Sequence, residues 1–370
     1  MIEFFKRREA VLEVISRWYY RRFSDPDAVT LALILCFLFA FVIFLGDILA
    51  PVIVSLVLAY LLEWPVEKLR AIGVRRSISV VAVIILFFFL SITLLIGLIP
   101  NIWQQLTNLI TEIPNIIQEG QNYLLTLPEE YQGVINPEQV KNISDSLRNQ
   151  FVTTGKGLVS ASLNSLVTLV TLLIYLVLVP LLVFFMLLDK EKLLAQILRF
   201  LPRKRKLANR VWGEMNQQIG NYIQGKVIEI LIVGGVSIVA FLLLDLRYAV
   251  LLGVGVGLSV LIPYIGAAVI TIPVAIVALF QWGITPEFWY VMIVYGVIQA
   301  LDGNLLVPLL FSQAVNLHPV FIIVAVLFFG GIWGFWGVFF AIPLATLVKA
   351  VINAWPGSER VESEEIIIEK

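Results

Sequence analysis

Apolar runs of membrane-spanning length alternate with short charged stretches along most of this chain, and that alternation predicts an all-helical protein. Residues 28–49 and 77–99 read as single spans, with Asp25-Pro26-Asp27 signalling the start of the first. Between them, residues 52–62 are only about 11 apolar positions, about 17 Å as a helix, so this run must recruit its flanks, tilt or re-enter. Residues 157–188 are uncharged for about 32 positions, and 227–244 form a further span. The run at 291–311, VMIVYGVIQALDGNLLVPLLF, differs from the others. It carries Gln299, Asp302 and Asn304 near its middle, with Pro308 beyond them.

Two longer runs are interrupted. Residues 248–280 are uncharged for about 33 positions, too long for one straight crossing of a core roughly 30 Å thick. Proline removes a backbone donor and clashes with the preceding turn, so Pro263-Tyr264-Ile265-Gly266 is where a helix should stop and reverse. Residues 319–348 behave alike, broken by Gly330, Gly331, Gly334 and Gly337 with Pro343 beyond. Both read as hairpins of two shorter helices, a weak internal repeat flanking the Asp302 run.

The polar stretches complete the expected layout. Residues 1–27 read as a cytoplasmic amphipathic helix, with Phe5, Leu12, Ile15, Trp18 and Tyr19 at helical spacing among basic residues. Residues 28–99 hold the first spans. Residues 100–160 are acidic and amide-rich with few Lys or Arg, which suits an extracytoplasmic helical insertion, either covering the outer rim or capping a cavity. Residues 161–188 span, and 189–225 form a basic cytoplasmic loop and amphipathic helix. Residues 226–350 form the transport core and 351–370 a charged tail, cytoplasmic if 319–348 is a full hairpin and outside if it crosses once.

Composition agrees with membrane insertion: 60% of 370 residues are hydrophobic and 14% charged, where a soluble domain carries about a quarter charged. Net charge is zero, but Arg70, Arg75, Arg76 and the Lys/Arg cluster at 190–210 are concentrated in two short loops, which the positive-inside rule assigns to the cytoplasm. A single Cys36 excludes an intrachain disulfide, and one His318 argues against a histidine-ligated metal site. His318 itself suits a helix start better than a proton relay. The basic cluster is explained by orientation, so nucleic acid is not an expected partner. Residues 1–27 are charged and aromatic, so no cleavable signal peptide is expected.

Candidate chemistry concentrates on Asp302. A carboxylate at membrane depth costs roughly 2.5–3.5 kcal/mol on insertion scales unless partners surround it, which marks it as a candidate functional residue. Burial disfavours the bare carboxylate and a cation restores it, so loading with H+ or Na+ is expected to be pH-sensitive. Asn304 and Gln299 are expected to complete its polar shell. Broken helices expose backbone groups that coordinate substrate or ions, which adds Pro263, Tyr264, Gly266, Gly330, Gly331 and Gly334 to the candidate site. The competing reading is that these glycines only permit close helix packing. Glu229, inside another span, pairs with Lys226 or binds an ion.

The ordered set Tyr222-Ile223-x-Gly225, Leu246-x-Tyr248-Ala249, Ile262-Pro263-Tyr264-Ile265-Gly266, Asp302-x-Asn304-x-x-x-Pro308, His318-Pro319, Gly330-Gly331-x-x-Gly334-x-x-Gly337 and Ala341-x-Pro343 resembles the autoinducer-2 exporter (AI-2E) family of bacterial membrane proteins. The resemblance runs from about residue 28 and is densest from 189 onward. It implies about eight spanning segments, an extracytoplasmic insertion after the third, and export of autoinducer-2 or sodium/proton antiport. It also implies homo-oligomers, a pentamer among them. Glu229 has no counterpart in that pattern.

Together these readings predict a secondary transporter in the bacterial inner membrane, N-terminus cytoplasmic, exporting a small hydrophilic solute coupled to proton or sodium movement, with no other cofactor. Its expected partners are the lipid bilayer, a small-molecule or ion substrate, and further copies of itself. A sodium/proton antiporter, a passive channel and a non-transporting scaffold are the alternatives. A channel would want repeated polar rings along a pore, and none is seen. An enzyme is disfavoured, because no nucleotide loop, metal cluster or nucleophile motif is present.

Overall fold

The structure, a computed structural model, describes residues 26–125, 142, 146, 166–200, 206–311 and 317–354. The amphipathic helix expected within 1–27, most of 126–165, the basic residues 201–205 and the tail from 355 lie outside the described residues. Among those described there is no strand, and six helices are long and apolar enough to cross a membrane. Four shorter apolar helices accompany them, including one arm of each interrupted run.

The helices, in order, are α1 (Pro26–Ala71), α2 (Arg76–Leu125), α3 (Leu166–Leu188), α4 (Lys190–Phe200), α5 (Lys206–Leu243), α6 (Ala249–Ser259), α7 (Ile265–Trp282), α8 (Pro286–Leu301), α9 (Val307–Phe311), α10 (Pro319–Phe339) and α11 (Ala341–Ala354). A π-helical turn, Asp302–Leu306, joins α8 to α9. The short apolar run at 52–62 recruits both flanks: it lies inside the 46-residue α1. The polar stretch after residue 100 begins inside α2, which continues for 50 residues across Pro100 and Pro114.

The chain divides into two compact units, one of residues 1–80, 181–226 and 309–370, the other of 81–180 and 227–308.

In the first unit, Leu35 packs on the Val211 and Met215 cluster, while the Tyr60 hydroxyl donates to Asn216 Oδ1 at 2.7 Å. A straight helix would put residues 35 and 60 about 37 Å apart. α1 therefore bends sharply between them, where Pro51 removes a backbone donor. Arg76 closes the charged end of this unit. Its Nε and Nη2 donate to the Leu187 carbonyl at 3.0 and 2.6 Å, satisfying an orphan acceptor at the end of α3. Glu63 lies 3.8 Å from Arg76 and 2.9 Å from Lys190. The interrupted run 319–348 is a hairpin. Gly334 has φ 58°, ψ −134°, a region essentially restricted to glycine, and α10 kinks there. His318 caps the start of α10 with Pro319 at its first position, its Nδ1 accepting from the Val320 amide at 3.3 Å.

In the second unit, Val233 and Phe241 of α5, Leu252 and Val256 of α6, Val274 and Val277 of α7, and Val291 and Tyr295 of α8 form one buried core. α5 and α6 touch through glycine: a Cβ on Gly257 would lie 2.8 Å from the Gly234 Cα. The run 248–280 breaks at the expected place, with α6 ending at Ser259 and α7 starting at Ile265. A Cβ on Gly266 would meet the Ser259 carbonyl oxygen at 1.8 Å, so only glycine lets the two arms come this close. At the other end, Gln281 Oε1 accepts from the Arg247 amide at 2.7 Å and its Nε2 donates to the Asp245 carbonyl at 2.7 Å. The two ends of the hairpin are thus tied together. Its arms have 11 and 18 residues, about 17 and 27 Å.

Candidate functional site

Asp302 is the C-cap of α8 and opens the π turn. The Asp302 amide reaches the Gln299 and Ile298 carbonyls, and five residues on, the Val307 amide bonds the Asp302 carbonyl. An inserted π turn widens the helix and displaces its backbone groups from the regular ladder, and such turns concentrate at functional sites. The Asp302 side chain is half-buried, with Oδ1 fully enclosed.

Spacing determines what shares the Asp302 face. Tyr295, Gln299 and Asp302 stand at i, i+4 and i+7, within about 60° of one another around a helix of 3.6 residues per turn. Tyr295 is buried, and its hydroxyl donates to the Ala267 carbonyl of α7 at 3.1 Å and meets the Thr271 hydroxyl at 2.9 Å. Thr271 itself donates to the Ala267 carbonyl at 2.7 Å. Gln299 stands close enough to interact with the Tyr295 hydroxyl. Its Nε2 is buried and finds no acceptor in hydrogen-bond geometry among the described residues. A polar stripe therefore runs from the α7 backbone through Tyr295 to the face that Gln299 and Asp302 share, beside the apolar core of this unit.

The sequence-based candidates are placed as follows. Gln299 lies on the Asp302 face. Asn304 is exposed, and its Nδ2 donates to the Ala300 carbonyl of its own helix at 2.9 Å. Pro263 and Gly266 form the hairpin break, with the Pro263 carbonyl accepting from the Ile265 amide at 2.7 Å and the Ile262 carbonyl accepting from the Gly266 amide at 2.8 Å. Tyr264 adopts φ 63° with an exposed ring. The break positions the first turns of α7, and these, rather than the break residues' side chains, present Ala267 and Thr271 to Tyr295. Gly330, Gly331 and Gly334 belong to the other unit. There, Gly330 lies against the Val338 side chain, a packing role, and Gly334 supplies the kink.

Sequence reading missed Tyr295, Thr271 and the Ala267 carbonyl. The first was findable, since Tyr295, Gln299 and Asp302 are a helical-face triplet in an apolar run. The α7 partners were not, because nothing local says which hairpin arm faces α8. Glu229 is 2% exposed and Lys226 4%, with the Lys226 ammonium 5.3 Å from the Phe311 ring centroid.

The sequence model of the family described as "AI-2E family transporter" matches residues 31–357. The chain is 51% identical over 349 residues to "Putative permease PerM" of Escherichia coli (strain K12), covering 94% of this chain and 99% of that protein. It is 26% identical over 317 residues to "Putative transport protein YueF" of Bacillus subtilis (strain 168), covering 84% and 85%. A "Putative transport protein sll0063" of Synechocystis is 23% identical over 306 residues, covering 82% and 76%.

Proposed function

This chain belongs to the AI-2E transporter family, a multi-pass membrane transporter, and we propose that it is a secondary transporter whose coupling ion, H+ or Na+, binds at Asp302. The observation that carries this reading is the polar stripe of Tyr295, Gln299 and Asp302 closing onto Ala267 and Thr271. A membrane segment keeps such a line of hydrogen-bonding groups at a cost, and the stripe ends on a carboxyl in a π turn.

The stripe suits coupling in three respects. The half-buried Asp302 carboxyl, with Oδ1 enclosed, offers an anionic ligand for a proton or sodium ion. Gln299 carries an amide that reaches the Tyr295 hydroxyl and stands on the Asp302 face, within reach of a second polar group. Tyr295 links the site to the tip of the hairpin, so a change at Asp302 is felt by the α6–α7 arms. Movement of that hairpin would open or close the path, the arrangement broken helices provide in other transporters. The basic loops orient residues 63–76 and 189–210 to the cytoplasm of a bacterial inner membrane, and the hairpin mouth at 245–248 and 281 to the outside. Family resemblance supports a small hydrophilic solute moving outward.

Flux of solutes and cations into proteoliposomes of the purified chain, with and without imposed proton and sodium gradients, tests the reading. Solute movement driven by one of the two gradients is the expected result. Gradient-insensitive flux would favour a passive channel, and ion exchange with no solute movement a sodium/proton antiporter.

A further inference from the structure

A polar pocket of about 610 Å3 lies at the mouth of the α6–α7 hairpin, between the projecting end of α2 and the Arg247–Tyr248 turn. Its volume falls in the range of small-molecule sites, roughly 300–1,000 Å3. One wall is a helical stripe of Asn108, Thr111 and Asn115 on α2. The other is a closed charge cluster. Arg247 Nη1 donates to Glu112 Oε1 at 2.9 Å, and the Tyr248 hydroxyl donates to Glu112 Oε2.

The hydrogen-bond inventory selects the ligand. Both Glu112 oxygens are engaged, so a cation finds no uncompensated charge. An anion approaching Arg247 meets the same carboxylate. Gln105 is spent on structure, its Oε1 accepting from the Leu251 amide at 2.9 Å and its Nε2 donating to Asn101 Oδ1 at 2.8 Å. Thr111 donates to the Asn108 carbonyl at 2.8 Å and keeps its lone pairs. The side-chain amides of Asn108 and Asn115 make no hydrogen bond among the described residues, and each carries two donors beside an acceptor. Groups that donate and accept at adjacent atoms pair with hydroxyls, and the neutral balance excludes strongly charged solutes.

We propose that this pocket binds a small neutral polyhydroxylated solute, such as a polyol or a pentose, as the vestibule of the transport path. Its meaning as a vestibule rests on the transport reading, whereas binding itself does not. The test is saturation-transfer NMR of xylitol with the purified full chain in detergent, alongside gluconate as an anionic probe and glucosamine as a cationic one. Saturable xylitol binding is expected, weakened about tenfold by Asn108→Leu or Asn115→Leu and unchanged by Lys192→Gln, an exposed position of the first unit. The near-isosteric Asn108→Asp, expected to weaken binding similarly, guards against a folding artefact, and each variant's thermal transition is recorded. No saturable binding, binding indifferent to all three pocket substitutions, or preference for either charged probe would overturn the proposal. Gradient-driven flux that persists without xylitol binding would leave the transport reading standing and remove the pocket from it.

Discussion

Tyr295 of α8 and Thr271 of α7 share the Ala267 carbonyl, their hydroxyls 2.9 Å apart, a polar junction between the hairpin and the helix that carries Asp302. Tyr295→Phe deletes the junction while keeping the ring in the core. Interhelical hydrogen bonds in membranes average only about 0.6 kcal/mol, so the thermal transition should move little. The pH dependence of flux should shift, because the hydroxyl nearest Gln299 has gone. An unchanged pH–flux profile would show that the junction is packing alone.

The hairpin tip depends on a missing side chain. Gly266→Ala would drive a Cβ to within 1.8 Å of the Ser259 carbonyl, a backbone atom that no rotamer change can move. Overpacking of this kind costs about 1–3 kcal/mol or more. Gly334→Ala forces alanine to φ 58°, ψ −134°, at about 1–3 kcal/mol. Gly331→Ala meets nothing within 4 Å and should be near neutral. Thermal unfolding followed by size-exclusion chromatography ranks the three, and an equal loss for Gly331→Ala would contradict the assignment.

Arg76 holds the charged end of the first unit. Arg76→Ala removes two hydrogen bonds to the Leu187 carbonyl and the neighbour of Glu63. Hydrogen bonds to a charged donor are worth about 1.5–3 kcal/mol, so a loss in that range is expected, with Arg76→Lys recovering part of it. A melting temperature for Arg76→Ala equal to that of the parent would contradict the role.

The Tyr248 hydroxyl is pushed up to about 12 from its ordinary 10.0, first by burial and then by its hydrogen bond and charge interaction with Glu112. Because the folded value lies above the unfolded one, the contribution is fully present below pH 10 and is lost as pH rises toward 12. Stability should therefore fall over that interval in the parent. Tyr248→Phe should flatten this part of the curve, and identical alkaline profiles would rule the contact out.

Periodicity and punctuation carried most of the architecture. The uncharged runs, the Pro263–Gly266 break, the Gly334 kink and the capping role of His318 are local consequences of backbone chemistry, so they could be read from neighbours in the chain. The extension of the first apolar runs into α1 and α2 was less legible, since Glu63, Pro65 and Pro100 look like boundaries until packing overrides them. Within the candidate site, Gln299 joined Asp302 because helical spacing requires it. Asn304 satisfied itself on the Ala300 carbonyl, because two residues on from Asp302 is about half a turn, which points its amide off that face. Thr271 and Glu112 depend on pairings across more than twenty residues, which no local rule encodes.

The central claim is that Asp302 couples an ion to transport, and Asp302→Asn tests it most directly, since the amide keeps the side chain's size and hydrogen-bonding capacity but neither releases a proton nor carries charge. In proteoliposomes with an imposed proton or sodium gradient, the variant should insert and melt like the parent yet lose gradient-driven solute flux. Undiminished, gradient-sensitive flux through Asp302→Asn would contradict the claim.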